Sequence, residues 1–355
     1  MGLTLTLTDA ELPASPAFIE FLHATLTGGD YHVGTWYLQE EELLDHDGER
    51  FDGLAEKVRT VMQHPQGTQA IMRSYRFFKE MLTGKMDTLR DLRRFQFIFV
   101  IGIPRTGGTY LTKQFYRAAG IDYTQVQNAL AHDGFPHLAV LSFPDNRYNA
   151  HTTSLLQLAE YLTMVEIYFT RHGRLAYQGG IVVPKKFTKA IYNFPLLRAL
   201  LGDRADYVIT TRHPLGMIQS VLDKSGGMPS DGKFAVRSAI ERWALDDWLQ
   251  WQIPETKVMN MSYVHVMLEY WKRFHFQLAM SGIPAMPNAR LVPYGPESMR
   301  ETVRAYYQAF GTTLEPEPFK PPLPSHFSHS ETQAAATVIA EVTQLWASLR
   351  LIFSI

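Results

Sequence analysis

A glycine-rich turn between a predicted strand and a predicted helix carries the residues best suited to chemistry. The run from Phe97 to Ile101 is apolar, β-branched and aromatic, which is typical of a buried strand. The turn follows at residues 102–109, with the sequence Gly-Ile-Pro-Arg-Thr-Gly-Gly-Thr, and helical spacing begins near Thr109. Unpaired backbone N–H groups and the positive end of a helix converge at such a junction. The sequence therefore predicts a site for a phosphate or a similar anion, with Arg105 as the cation inside the turn.

The turn has the spacing of a nucleotide-binding loop but lacks its lysine. In the pattern G-x-x-x-x-G-K-[ST], Gly102 and Gly107 fill the glycine positions and Thr109 fills the last one. Gly108 stands where the lysine would contact the β- and γ-phosphates. The pattern therefore favours an anionic group other than the γ-phosphate of ATP. A plain strand–turn–helix connection is the alternative, and Arg105 argues against it because a charge in an apolar turn needs a partner.

Two signatures in the sequence resemble those of the sulfotransferases that use 3′-phosphoadenosine-5′-phosphosulfate (PAPS). Residues 104–109, Pro-Arg-Thr-Gly-Gly-Thr, are similar to the 5′-phosphosulfate loop of this family, commonly P-[KR]-[ST]-G-T-T, with Gly108 in place of a threonine. Further along, residues 207–211 predict another buried strand, which is followed by Arg212 and, in the next predicted helix, by Ser220. In the family, an arginine and a serine at this offset bind the 3′-phosphate of the nucleotide.

This resemblance is close over residues 95–221 and looser over residues 290–311. It implies an enzyme that transfers the sulfuryl group of PAPS to a hydroxyl or amine of a small-molecule acceptor and releases 3′-phosphoadenosine-5′-phosphate (PAP). It also implies that the nucleotide is bound by Arg105, Thr106, Gly107, Gly108, Thr109, Tyr110, Arg212 and Ser220. No metal is expected, because backbone N–H groups and a fixed cation such as Arg105 stabilise the charge that develops during the transfer.

The remaining catalytic candidates lie outside the turn. In many relatives a lysine that ends the strand before the 3′-phosphate strand contacts the sulfonate, and Lys185 and Lys186 lie near that place. Of the two, Lys186 is the preferred candidate for this contact because of its spacing from Arg212. The alternative is that both lysines are solvated on the surface. An acceptor hydroxyl also needs a base. His132 and Asp133 lie where relatives carry a catalytic glutamate, so both are predicted as catalytic, with His132 first; a surface loop histidine is the alternative.

Two other functional classes remain open from the sequence. A P-loop kinase or nucleotidase acting on a small molecule would use ATP and magnesium, and the missing lysine weighs against it. A nucleotide-binding protein without catalysis fits if the acceptor pocket has no base.

The elements around these residues alternate between strand and helix. Strands are predicted at residues 97–101, 181–183, 207–211 and 291–293, and helices at 109–119, 194–201 and 297–310. This alternation predicts an α/β fold with a P-loop-type parallel sheet flanked by helices, and ligands bind such sheets at the strand carboxyl ends. Because both phosphate segments follow strands, we expect one nucleotide to contact both.

The domain organisation is predicted as a core with helical additions. Residues 1–94 form a helical N-terminal extension packed on the core, and residues 95–311 form the P-loop-like α/β sulfotransferase core with a helical insert at 233–281. Residues 312–355 comprise a proline-rich segment and a C-terminal helix, for which Ser330 and Gln333 have the spacing of a capping box.

Composition limits the partners and the location. The net charge of −1 gives no general attraction to nucleic acid or membranes. Basic residues nevertheless concentrate around both phosphate segments, with 7 basic and 2 acidic residues in 84–120 and 10 basic and 5 acidic in 182–242. The sequence has no cysteine, no recognisable secretory signal and no long apolar stretch, so we expect a cytoplasmic protein without a membrane span. An apolar or extended acceptor and a homodimer through the long terminal helices are further expectations.

Overall fold

The computed structural model of the chain describes residues 14–29, 48–85, 89–133, 135–136, 147–192, 194–201, 204–319 and 327–355. Residues 320–326 of the predicted proline-rich segment lie outside the described residues. The helices of the described part are α1 (Pro16–Thr27), α2 (Gly48–Gln63), α3 (Pro65–Thr83), α4 (Gly108–Ala118), α5 (Tyr123–Val126), α6 (Arg147–His172), α7 (Phe194–Leu201), α8 (Pro214–Ser225), α9 (Ala239–Leu249), α10 (Glu255–Val258), α11 (Tyr263–Met280), α12 (Pro296–Ala309) and α13 (His329–Ser348). Short 3₁₀ segments at Leu89–Arg94, Thr188–Tyr192 and Ile283–Ala285 and a π-helical turn at Gln127–Ala131 complete the helical elements.

Within the described residues, five strands form one sheet. They are β1 (Phe95–Ile101), β2 (Ala176–Tyr177), β3 (Gly180–Lys186), β4 (Ala205–Thr211) and β5 (Ala289–Pro293). Their order in the sheet is β2-β3-β1-β4-β5, and every pair is parallel except β2 with β3. The α/β fold with a mostly parallel sheet flanked by helices is therefore confirmed.

The sequence explains why β1 and β4 lie at the centre of the sheet. Every residue of both strands is buried, which matches their continuous apolar and β-branched runs, because a strand covered on both faces has no polar side to alternate with. Helix α4 packs against β1 and β3, and α12 packs against α4 and β5. The core between them includes Val100, Leu111, Phe115, Val208 and Met299.

The chain divides into two compact units. The helical unit comprises Met1–Arg93, Asp122–Leu138 and Thr152–Gly173, and the sheet unit comprises Arg94–Ile121, Ala139–His151 and Arg174–Ile355. The domain boundaries expected from the sequence, after residues 94 and 311, remain a prediction. No helix among the described residues is both long and apolar enough to span a membrane.

Two carboxylates of α6 have structural partners inside the helical unit. Ser15 donates to Glu160 from its backbone N–H at 2.8 Å and from its hydroxyl at 2.5 Å, and this fixes the start of α1. Arg73 of α3 donates from Nε to Glu166 at 3.0 Å and from Nη2 to Asp91 at 3.0 Å. Both glutamates of α6 therefore join neighbouring segments of the helical unit.

Candidate functional site

The carboxyl ends of β1 and β4 meet at one edge of the sheet. The two strands are adjacent and parallel, and their pairing runs from Phe97 with Ala205 to Ile101 with Ile209. Just beyond them, the Nη1 atom of Arg212 donates a 2.8 Å hydrogen bond to the backbone oxygen of Arg105. The structure thus brings the glycine-rich turn and the second signature into direct contact.

The turn has an unusual backbone that its packing maintains. Arg105 has a φ of 71°, in the left-handed region that residues with a Cβ rarely adopt. Gly107 has a φ of 91°, and a Cβ there would lie 2.6 Å from the Cε of Met299. Gly107 caps α4, whose first turn begins at Gly108 and presents its N–H groups toward the turn. A helix N-terminus therefore opens at the same sheet edge as Arg212.

Two buried threonines join the turn to β4. The hydroxyl of Thr106 donates to the backbone oxygen of Ile103 at 2.7 Å and lies 2.7 Å from the hydroxyl of Thr210. Thr106 is 2 % exposed and Thr210 is 1 % exposed. A Cβ at Gly102 would overlap Thr210, so the glycine allows this close approach. Because the hydroxyl of Thr106 is used internally, only the backbone of this residue is suited to an anion.

Helix α8 adds a third element to the site. The Nε of Arg105 donates to the hydroxyl of Ser220 at 2.9 Å, so the turn, the end of β4 and α8 share one hydrogen-bonded cluster. Gly216, in the first turn of α8, lets the guanidinium of Arg212 lie against the helix, since a Cβ at this position would be 3.1 Å from Nε. The structure therefore brings together Arg105, Arg212 and Ser220.

Both arginines are held where a positive charge is unfavourable. Burial lowers the pKa of Arg105 from its ordinary value. Burial likewise lowers the pKa of Arg212, and the neighbouring charge of Arg105 adds to this effect, while Tyr294 and Asp223 oppose it. The guanidinium of Arg212 lies 4.0 Å from the ring centroid of Tyr294. A bound anion would therefore offset the unfavourable positive charge of both guanidinium groups.

Lys224 adds a cation to the same region. The charge of Arg105, and to a smaller extent burial, lowers the pKa of Lys224. Lys224 follows Ser220 by one turn of α8, which places both on the same side of the helix. The carboxylate of Asp223 accepts a 2.7 Å hydrogen bond from Gln219, and its negative charge favours the charged form of both arginines. Three basic side chains and one acidic side chain give this cluster a net positive charge.

The two lysines at the end of β3 have different environments. Lys186 pairs with Val100 in the sheet, and its Cε would lie 3.3 Å from a Cβ placed at Gly108. Its side chain therefore passes the N-terminus of α4. Lys185 is fully buried, and its Nζ lies 5.4 Å from the ring centroid of Phe187. Of the pair, Lys186 is the lysine next to the glycine-rich turn.

The end of β4 is fixed from behind by aromatic and backbone contacts. The indole N–H of Trp271, in α11, donates to the backbone oxygen of Arg212 at 3.0 Å. The hydroxyl of Thr211 donates to the backbone oxygen of Ser354 at 2.6 Å. Phe353 packs edge-on against Trp271 with 5.9 Å between ring centroids. The backbone from which Arg212 extends is therefore held by α11 and by residues 353–354.

Tyr110 is tied to the segment that follows α12. Its hydroxyl donates to the backbone oxygen of Glu317 at 2.6 Å, and its ring packs edge-on against Phe319. Gln114, one turn further along α4, donates to the carboxylate of Glu317 and accepts from its backbone N–H, each at 3.0 Å. Phe319 also packs edge-on against Tyr294, 5.0 Å between centroids. The ring of Tyr110 thus belongs to an aromatic cluster beside the turn.

The predicted bases belong to the helical unit. His132 follows the π-helical turn, and its backbone N–H donates to the oxygen of Gln127 at 2.8 Å. Asp133 is buried, with 4 % of its surface exposed. Their catalytic roles stay predictions.

Several residues of the site were not identified from the sequence. Tyr294 directly follows β5, so the rule that ligands bind at strand carboxyl ends also applies to it. Lys224 could have been found from its four-residue spacing to Ser220 on one helix. The contacts of Thr210 and Trp271 depend on tertiary packing, and no local pattern indicates them.

The arrangement suits a ligand with more than one anionic group. It combines a helix N-terminus beside Lys186 with a second cluster formed by Arg105, Arg212 and Ser220. Within the part of the chain that the structure describes, no group of three or more histidine, aspartate or glutamate residues is placed to hold a metal ion.

Comparisons with known proteins find similarity to a solved structure. No family model matches the chain, and no curated protein matches it. A crystal structure of the sulfotransferase STF1 from Mycobacterium tuberculosis is similar to the chain at 16% sequence identity, with a TM-score of 0.35. The match covers 94% of this chain and 99% of the STF1 chain.

Proposed function

We propose that the chain is a PAPS-dependent sulfotransferase that modifies a hydroxyl or amine of a small-molecule acceptor. The observation that carries this proposal is the contact between the two signature segments. Arg105 of the turn donates to Ser220, and Arg212 donates to the backbone of Arg105, at the edge where α4 begins. A nucleotide with phosphate groups at both its 5′ and 3′ positions needs two adjacent anion sites of this kind.

In this proposal the donor nucleotide is divided between the two anion sites. The backbone N–H groups at the start of α4, from Gly107 to Thr109, bind the 5′-phosphosulfate as a P-loop-like cradle. Arg212 and Ser220 bind the 3′-phosphate, and Arg105 lies between the two sites. Tyr110 borders the turn with its ring held in the aromatic cluster.

The proposed reaction is a direct transfer. The acceptor oxygen forms a bond to sulfur while the bond from sulfur to the bridging oxygen of PAPS breaks, and PAP leaves with that electron pair. Lys186, beside Gly108, stabilises the negative charge that develops on the sulfonate and the leaving phosphate. These residues supply the positive charge without a metal ion.

The acceptor's proton needs a base, for which His132 and Asp133 remain the proposed candidates. An apolar or extended acceptor, a cytoplasmic location and a homodimer remain proposals from the sequence.

Thermal unfolding with two nucleotides tests the proposal. We expect PAP to raise the melting temperature of the wild-type protein, because a ligand that binds only the native state stabilises it. We expect Arg212→Ala to abolish the increase, since that guanidinium contacts the proposed 3′-phosphate site. ATP with magnesium should give a smaller increase, as the turn has glycine where a lysine would contact the γ-phosphate.

A matched control is Arg204→Ala, a basic residue at the opposite end of β4, which should leave the PAP effect unchanged. A larger stabilisation by ATP with magnesium than by PAP would instead favour a kinase or nucleotidase. Turnover of PAPS with a set of acceptors then separates an enzyme from a protein that only binds the nucleotide.

A further inference from the structure

The ring of Tyr294 has three neighbours that relate it to the proposed nucleotide site. One side faces the guanidinium of Arg212, 4.0 Å from the ring centroid. The ring also lies near the turn, since its Cδ2 would be 3.4 Å from a Cβ placed at Gly107. Phe319 packs edge-on against it at 5.0 Å. The ring is therefore fixed between the turn, the segment after α12 and Arg212.

The backbone of Tyr294 is fixed as well. Its N–H donates to the oxygen of Thr211 at 2.8 Å, so the residue is bound to the last residue of β4. Ser298, in the first turn of α12, donates its hydroxyl to the oxygen of Pro293 at 2.5 Å. These bonds fix the backbone on both sides of Tyr294, and so the position from which its ring extends toward Arg212.

An arginine in this position needs such support. Arg212 is 5 % exposed, and the positive charge of Arg105 disfavours the charged form of Arg212. An aromatic face attracts a guanidinium by its quadrupole, typically by about 0.5 to 2 kcal/mol, with the larger values at desolvated sites. Tyr294 therefore supplies a favourable interaction to a cation that water no longer solvates.

We propose that Tyr294 is a positioning residue that holds the guanidinium of Arg212 in the orientation required to bind the 3′-phosphate of the donor nucleotide. This inference rests on the proposed function. The ring face carries the effect, and the hydroxyl is not required. Tyr294 therefore contributes to the preference for a 3′-phosphorylated nucleotide by acting through Arg212.

Calorimetric titration with PAP and with 5′-AMP, which lacks the 3′-phosphate, tests this inference. We expect Tyr294→Leu to weaken PAP binding roughly tenfold, in line with the loss of one desolvated cation–π contact. Binding of 5′-AMP should change less than about twofold, because 5′-AMP does not use Arg212. Tyr294→Phe, which keeps the ring face, should bind both nucleotides as the wild type does.

Several outcomes would overturn the inference. An equal loss of affinity for both nucleotides in Tyr294→Leu would indicate a general effect on the turn. Loss of PAP binding in Tyr294→Phe would assign the effect to the hydroxyl. If Tyr294→Leu does not fold, Tyr294→Met is measured in its place, with the same expectations. If the wild-type protein binds neither nucleotide, the proposed function is overturned. If the wild type binds PAP and Tyr294→Leu keeps the same preference for PAP over 5′-AMP, only the role of Tyr294 is overturned.

Discussion

The hydroxyl pair formed by Thr106 and Thr210 links the glycine-rich turn to the strand that ends at Arg212. The two oxygens lie 2.7 Å apart in a fully buried position. A buried hydrogen bond of this kind contributes about 1 kcal/mol to stability and also fixes geometry. The distance between the two proposed phosphate sites therefore depends partly on these two side chains.

Thr210→Val should uncouple the turn from β4. We expect a loss of about 1 kcal/mol in the free energy of unfolding and a several-fold weaker affinity for PAP, measured by urea denaturation and calorimetry. Thr163→Val is the matched control, because it removes a buried hydroxyl that bonds within α6, to the backbone oxygen of Ala159, instead of to the turn. Equal effects of the two variants on PAP affinity would contradict the coupling role.

Lys185 and Lys186 provide a matched pair of variants. Substitution of each by methionine keeps most of the side-chain volume and removes the charge. We expect Lys186→Met to lower kcat for sulfuryl transfer about 100-fold with little change in PAP affinity, because the lysine acts on charge that develops during the transfer. Lys185→Met should keep its kcat, since Lys185 lies against Phe187. A larger loss of kcat in Lys185→Met would reverse the assignment.

At the scale of elements, α11 supports the site through an aromatic cluster. His275 is fully buried, and its ring centroid lies 4.1 Å from that of Trp271, which donates to the backbone of Arg212. The Nδ1 of His275 is 2.7 Å from the oxygen of Trp271, and its Nε2 is buried without a hydrogen-bond partner among the described residues. Burial lowers the pKa of His275 to about 4. The native state therefore keeps this histidine neutral.

The low pKa of His275 predicts a loss of stability in acid. The unfolded chain binds a proton to this histidine near pH 6.5, whereas the native state does so only near pH 4, so the free energy of unfolding falls as the pH drops between these values. Between pH 7 and pH 5 the expected loss from this group is about 2 kcal/mol. Comparison with His275→Phe in urea denaturation isolates the effect, and an identical pH dependence in both proteins would contradict it.

A second buried group acts in the opposite direction. Burial raises the pKa of Asp247 to about 6, so the native state binds this proton more tightly than the unfolded chain does. Its effect on stability therefore becomes less favourable as the pH rises from about 4 to 6. Asp247 is present in both the wild type and the histidine variant, so its contribution cancels in the comparison.

The main elements could be predicted from local patterns, but their ends less well. The continuous apolar runs of β1 and β4 identified both central strands, because strands buried on both faces have no polar alternation. The capping box of the last helix was placed wrongly at Ser330 and Gln333. It is formed by Ser328 and Glu331, whose carboxylate accepts from the backbone N–H of Ser328 at 2.8 Å. Serines two positions apart, Ser328 and Ser330, made more than one helix start compatible with the sequence.

Tertiary contacts of the site were harder to predict. The glycine spacing and the strand pattern pointed to Arg105 and Arg212, since strand carboxyl ends in a parallel sheet meet at one edge. The ring of Tyr294 reaches this edge through β5, and Trp271 reaches it from α11, at positions that no short motif marks. Contacts between distant segments depend on packing that periodicity does not encode.

At the scale of the whole molecule, charge is concentrated where the proposed ligand binds. The net charge is −1, yet Arg105, Arg212 and Lys224 are close enough for the charge of Arg105 to act on both of the other cations, with the carboxylate of Asp223 nearby. Such a cluster attracts an anionic ligand locally without making the protein generally basic. We therefore expect this cluster and the glycine-rich turn to bind a nucleotide that carries phosphate at two separate positions.

Calorimetric titration of the wild-type protein with PAP, 5′-AMP and 3′-AMP tests this claim most directly. If the turn and the end of β4 bind the two phosphate ends of one molecule, PAP should bind at a single site, at least tenfold more tightly than either mononucleotide, since two charge-assisted contacts act together. Affinity for PAP no greater than that for 5′-AMP would contradict the account, because one phosphate end would then contribute nothing to binding.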